Sequence, residues 1–295
     1  MVAVPQRDAA MSKTVPATWL ARHEIGWLVA LGLFSGCGPS STSPAPKVTV
    51  AVAHQESADA SDVDEAQFAM VKGRIVYSGD VPKLSPHVRH GMSKLDPAVC
   101  AAREDISDES LRVSGENHGV ADVFVWLPMK PAGAPTESPG IVVPICFEDC
   151  RVRPRSIIGR TVDEFWFEFR DPTAHNLLLN PRYNATQCNN PGPHTVDKLR
   201  FNSSEKRPFE FHCAIHRWMG GSMLVLDHSY AAVTGEDGTF LIANMPPGDH
   251  QLHLWHEREF RDQLKVTLKA GEELDAGVIS LTLTDGAKLT RSIER

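Results

Sequence analysis

Residues 164–169 read EFWFEF, and this alternation limits the fold more than any other stretch of the chain. In a strand successive side chains leave on opposite faces. Phe165, Phe167 and Phe169 therefore share one face, and Glu164, Trp166 and Glu168 share the other. Short runs of this kind recur, broken by Gly and Pro, while apolar residues at helical spacing are scarce. The chain reads as all-β.

Other segments fit the same pattern. VKGRIVYSGDVP is a strand running into a turn, and GVADVFVWLP is another strand. DPTAHNLLL is a turn followed by a strand that points His175, Leu177 and Leu179 one way. KRPFEFHCAIH places Phe209, Phe211 and Cys213 on one face with Glu210 and His212 opposite, and SMLVLD follows as a further strand. At 295 residues the chain can build one large or two modest domains. Its formal charge of −7 offers no basic field to nucleic acid. No Gly-rich phosphate loop or nucleophile elbow occurs, so nothing points to phosphoryl transfer, hydrolysis or a small-molecule substrate.

The first 36 residues read as a signal peptide. Lys13 and Arg22 precede IGWLVALGLFSGC, an apolar run of roughly a dozen residues ending at Cys37, where a spanning helix needs about 20. LFSGC resembles a bacterial lipoprotein signal, with Phe34 in the usual leucine place; an ordinary secretory signal or a buried helix is the alternative. The resemblance implies lipidation of Cys37 and a membrane-anchored protein on the periplasmic or cell-surface side. Residues 37–66, polar, acidic and rich in Pro and Ser, read as a disordered linker. An exported chain can oxidise its thiols, so Cys100, Cys146, Cys150 and Cys188 are disulfide candidates with three possible pairings.

The densest chemistry lies in FEFHCAIHRWMGGSM, residues 209–223, with the spacing Cys213-x-x-His216-x-x-Met219. A strand end can present the thiolate, a tight loop can return the imidazole, and the thioether can approach from the side. A thiolate and two imidazoles in a plane, with a weak axial methionine, suit copper in its electron-transfer form. The second imidazole must come from elsewhere, and His175, at the start of a strand, can supply it. Met223 competes with Met219 for the axial place. His87-x-x-His90 and His253-x-x-His256 read as surface histidines.

His175-Asn176 followed by the Cys-x-x-His-x-x-Met loop resembles the cupredoxin family of type-1 blue-copper proteins, amicyanin and plastocyanin among them, over about residues 140–228. The resemblance implies a Greek-key β-sandwich holding one copper ion on His175, Cys213, His216 and Met219. It implies that Asn176 ties the ligand loops together. It also implies that His216 reaches the surface beside Trp218 and passes electrons to and from a redox protein. A multicopper oxidase would need a histidine after the cysteine, where Ala214 stands, and a binuclear copper site would need a second loop cysteine. Zinc seldom takes a thioether.

DGTFLIANMPPG resembles the carboxypeptidase regulatory-like, transthyretin-related β-sandwich, and VKGRIVYSGDVP resembles the first strand of such a module. The expected plan is a β-rich segment at 67–130 that includes the first strands of this sandwich, the copper domain at 131–230, the regulatory-like sandwich at 231–285 and a tail at 286–295. Whether the copper domain is inserted or in tandem is open. The expected function is one-electron transfer without catalysis. A copper-binding or storage module without redox partners, or a cell-surface interaction protein on a cupredoxin-like fold, is the alternative.

Overall fold

The structure, a computed structural model, describes residues 67–134, 138–284 and 288–292, so the signal, Cys37 and the linker lie outside the described residues. Seventeen strands and no α-helix occur among them, and no described helix is long and apolar enough to cross a membrane. All belong to one unit, Asp59–Arg295.

The strands make four sheets that pair into two sandwiches. In the first, β1 (Ala69–Tyr77), β13 (Thr239–Met245), β16 (Glu273–Thr284) and β17 (Lys288–Arg291) form a sheet ordered β13-β1-β16-β17. Its partner sheet, ordered β12-β2-β14-β15, comprises β2 (Phe124–Trp126), β12 (Ala231–Val233), β14 (Gly248–His256) and β15 (Phe260–Leu268). Val71, Ile75, Val125, Leu252, Leu254 and Leu281 meet between them, each at most 1% exposed. The expected tail is corrected here. Leu289 on β17 is buried, and its strand pairs antiparallel with β16, because an apolar residue there completes the sheet face.

The second sandwich lies in the chain between β2 and β12, so it interrupts the first. One sheet, ordered β4-β3-β6-β9, contains β3 (Val142–Glu148), β4 (Arg151–Arg153), β6 (Glu164–Phe169) and β9 (Thr195–Leu199). The other, ordered β5-β11-β10-β7-β8, contains β5 (Ser156–Arg160), β7 (Leu177–Leu179), β8 (Gln187–Asn189), β10 (Phe209–His212) and β11 (Gly220–Leu226). The EFWFEF alternation appears as strand β6, with all three phenylalanines buried and the residues between them half-buried. Phe165, Phe167 and Phe169 join Phe147, Phe211, Met223 and Val225 in the core.

A third apolar layer joins the sandwiches. Phe124 and Trp126 of β2 face away from Val125's core and pack with Trp255 and with Leu224 and Leu226 of β11. Period two explains this: β2 and β11 are buried on both faces, so each sends alternate residues into two cores. Arg155 and Glu257 span the same seam at 3.0 Å.

Candidate metal centre

Antiparallel pairing of β10 with β11 places Phe211 opposite Gly221 and His212 opposite Gly220. The intervening loop is closed by the Cys213 N–H donating to Met219 O at 2.9 Å and the Met219 N–H donating to His216 O at 2.8 Å. On the far edge of β11, toward β5, Gly221 is required, because a Cβ there would stand 2.1 Å from the Arg155 carbonyl oxygen. On its other edge β10 pairs with β7, Phe211 opposite Leu179 and His212 opposite Leu178. That register carries Asn176 alongside Ala214, whose N–H donates to Asn176 Oδ1 at 3.4 Å.

His175, Cys213 and His216 converge as a result. The Cys213 sulfur lies 4.0 Å from His175 Nδ1 and 3.8 Å from His216 Nδ1. It also accepts the backbone N–H groups of Asn176 at 3.3 Å and His216 at 3.4 Å. All three side chains are at most 1% exposed, and their donor atoms lie within 4.8 Å of one another. Asn176 Nδ2 donates onward to Asn189 O and Asn190 Oδ1, so it links both ligand loops to the turn after β8. Met219 and Met223 are both buried in the same core.

Each imidazole uses its other nitrogen on a carboxylate. His175 Nε2 lies 2.9 Å from Asp171 Oδ2, and His216 Nε2 lies 2.9 Å from Asp96 Oδ2. Asp171 also takes the N–H groups of Asp149 and Cys150. With each Nε2 turned to its carboxylate, both Nδ1 atoms face the sulfur, where an Nδ1–H donates to the thiolate in the metal-free protein and, once that proton leaves, a lone pair is aimed at the same place. Burial by itself raises the Cys213 thiol, but the hydrogen bonds of His175 and His216 and the two backbone N–H groups outweigh it and bring it down to about 5. Burial disfavours a charged His175, but Asp171 and then Cys213 outweigh that and raise it to about 9. The sulfur is thereby held as a thiolate, the form that binds metal. One thiolate and two imidazoles able to be neutral, all buried and in mutual reach, fit a soft late transition ion such as copper. The group Cys100, Cys150 and His216 is equally close, but its two sulfurs are joined in a disulfide and offer no thiolate.

Three expectations are corrected. Of the four disulfide candidates only Cys100 and Cys150 are joined, with Cα atoms 5.2 Å apart, while Cys146 and Cys188 are free. Cys146 sits half-buried on β3 and Cys188 lies exposed on β8, in different sheets of the sandwich. His216 was expected at the surface and is instead fully buried. The cause is the largely irregular stretch between β1 and β2, which brings Asp96 onto the ring and is fastened through Cys100 to Cys150. Trp218 is half-buried, its ring 5.4 Å from that of His216 and its Nε1–H donated to Cys150 O. It lines an open cavity of about 340 Å³ with His87, Arg89, Met92, Lys94 and Leu95. His256 is also corrected: it is 1% exposed, since it ends the inward face begun by Leu252 and Leu254. Sequence reasoning missed Asp171 and Asp96. The first had a signal, four residues before His175, and the second had none.

No protein-family model matches the chain, and no curated protein matches it. Among solved structures it is similar to a mutant of amicyanin in its Cu(I) form, with TM-score 0.26, 14% identity, 28% of this chain covered and 81% of that one. A pseudoazurin from Sinorhizobium meliltoi gives TM-score 0.25 and 16% identity, with 29% and 73% covered. A copper-containing nitrite reductase from Thermus scotoductus gives TM-score 0.26 and 14% identity, with 34% of this chain and 25% of that one covered. At these TM-scores the geometry of the site itself has to carry the functional reading.

Proposed function

We propose that this chain binds one copper ion at His175, Cys213 and His216, with Met219 as the weak fourth donor, and carries single electrons. One observation supports the reading above all others: a buried thiolate sulfur with two imidazole Nδ1 atoms 3.8 and 4.0 Å away, each ring held from behind by a carboxylate. Bound copper would supply a one-electron couple. The protein's part is to keep the donors still, which the two N–H groups on the sulfur, the two carboxylates and the Asn176 bridge all serve. A donor set that cannot relax between oxidation states keeps reorganisation small.

Because His216 is covered, the way out is read through Trp218, the half-buried ring beside it. The partner would be a redox protein docking at the cavity that Trp218 lines. The rest of the proposal follows the sequence: lipidation at Cys37, the linker 37–66 as a tether on the periplasmic or cell-surface side, and the β1, β2, β12–β17 sandwich as a non-catalytic regulatory-like support. A copper-holding module without redox partners is favoured by one feature, the complete burial of both imidazoles.

The test is copper titration of the purified full chain, followed optically. One equivalent should produce an intense thiolate-to-copper band in the visible, absent from Cys213→Ala. Stoichiometric binding without that band would overturn electron transfer and leave the holding function.

A further inference from the structure

Two carboxylates and one disulfide frame the imidazoles, but they come from different distances. Asp171 is four residues from His175, and the same Oδ2 atom takes both His175 Nε2–H and the Cys150 N–H. Asp96 is 120 residues from His216. Its backbone sits in the left-handed region with φ of 45°, uncommon for a side-chain-bearing residue though tolerated by Asp. The Asp96 carbonyl takes the N–H groups of Val99 and Cys100 at 2.8 Å each, and Cys100 is bonded to Cys150. The turn that carries one carboxylate is therefore fastened covalently to the residue whose N–H holds the other. A sparsely populated backbone conformation held by its surroundings and aimed at a buried ring is where function is to be sought.

Packing alone does not set whether Nδ1 or Cδ2 of His216 faces the sulfur. The rings of His175, at 5.1 Å, and Trp218, at 5.4 Å, confine its plane, but a ring turned by half a rotation fills nearly the same volume. A hydrogen bond to Nε2 breaks that degeneracy. A charged acceptor makes it a strong one.

We propose that Asp96 is a positioning residue of the metal centre, delivered over the site by the Cys100–Cys150 disulfide, which fixes the His216 imidazole with Nδ1 toward Cys213. The proposal rests on the copper reading for what Nδ1 binds, while the ring orientation belongs to the metal-free protein as well. In the cupredoxin resemblance the corresponding ring reaches the surface; in this chain it is closed in and held by a carboxylate. Carboxylate partners of metal-binding histidines typically contribute 10–100-fold to affinity, by fixing the tautomer and raising the basicity of the ring.

The experiment compares the full chain with Asp96→Asn and Asp96→Ala. In metal-free protein labelled with ¹⁵N-histidine, wild type should show a slowly exchanging His216 Nε2–H, assigned by its loss in His216→Gln, and Asp96→Ala should lack it. Copper release to a chelator should quicken by 10–100-fold in Asp96→Ala, and the near-isosteric Asp96→Asn should raise the reduction potential while keeping the optical spectrum. A purely structural Asp96 would lower stability without moving either the ring signal or the potential. Persistence of the Nε2–H in Asp96→Ala with unchanged release overturns the proposal; should that variant not fold, an unchanged potential and ring signal in Asp96→Asn do so. If no copper binds at all, the copper reading fails alone, because the ring signal still decides the role of Asp96.

Discussion

His256 ends strand β14 at 1% exposure with Nε2 meeting no protein hydrogen-bond partner, and Asp122, Arg258, Arg155 and Arg112 surround it. Burial is the largest cause of its shift and lowers it from 6.5 to about 4, with the arginines adding to the effect and Asp122 opposing it. The unfolded chain therefore binds a proton between pH 6.5 and 4 that the folded chain refuses. Stability must fall as pH drops through that window and be fully restored above it. At 1.36 kcal/mol per unit the cost at low pH is roughly 3 kcal/mol. Glu257, the next residue, has the opposite sign. Burial raises it from 4.5 to about 7, with Arg155 opposing and Asp122 and Glu210 adding to the rise. The folded state keeps a proton the unfolded state has lost, so stability declines as pH rises from 4.5 to 7, again by roughly 3 kcal/mol. Over pH 4.5–6.5 the two slopes nearly cancel. Urea unfolding of the metal-free full chain across that range should show Glu257→Gln gaining about 2–3 kcal/mol from pH 4.5 to 6.5 relative to wild type, and His256→Leu losing a similar amount. Differences between variants remove the shared contribution of other carboxylates, provided m is unchanged. A Glu257→Gln profile parallel to wild type would refute the reasoning.

Two further outcomes follow from the packing. The Cys100–Cys150 bridge joins residues separated by 50 positions, so Cys100→Ser with Cys150→Ser should lower stability by about 4 kcal/mol from loop closure, read as the shift in urea midpoint at constant m. Gly221→Ala should destabilise by at least about 1–3 kcal/mol, since its Cβ would meet the Arg155 carbonyl at 2.1 Å and push β11 off its β5 neighbour, and should slow copper uptake because the displaced β11 also pairs with β10 around the ligand loop; native-like thermal unfolding would contradict it.

How far the sequence could be read depends on how local the cause is. Strand β6 was legible because its phenylalanine alternation is a property of neighbouring residues. The closeness of Cys213 and His216 was legible for the same reason, a three-residue spacing inside one hairpin end. His175 was offered by its place at a strand start and then by the resemblance, but what brings it to the sulfur, the β7–β10 register, joins segments more than 30 residues apart and could not be read directly. The Asp96 contact was invisible: nothing near position 96 signals a carboxylate held against a ring 120 residues away. The cover over His216 follows the same rule, being a tertiary contact of an irregular segment. The pairing of Cys100 with Cys150 was one of several that spacing allowed. His256 was misread because a histidine suggests solvent, whereas its place on the Leu252–Leu254 face pointed inward. Lys288–Arg291 was passed over because four residues with one apolar side chain carry too little period to register.

The most direct test of the central claim is X-ray absorption at the copper edge of the full chain loaded with one equivalent of metal. The expected spectrum has one short copper–sulfur contact with two imidazole nitrogens, and the sulfur shell is lost in Cys213→Ala. A wild-type spectrum of nitrogen and oxygen neighbours without sulfur would contradict it.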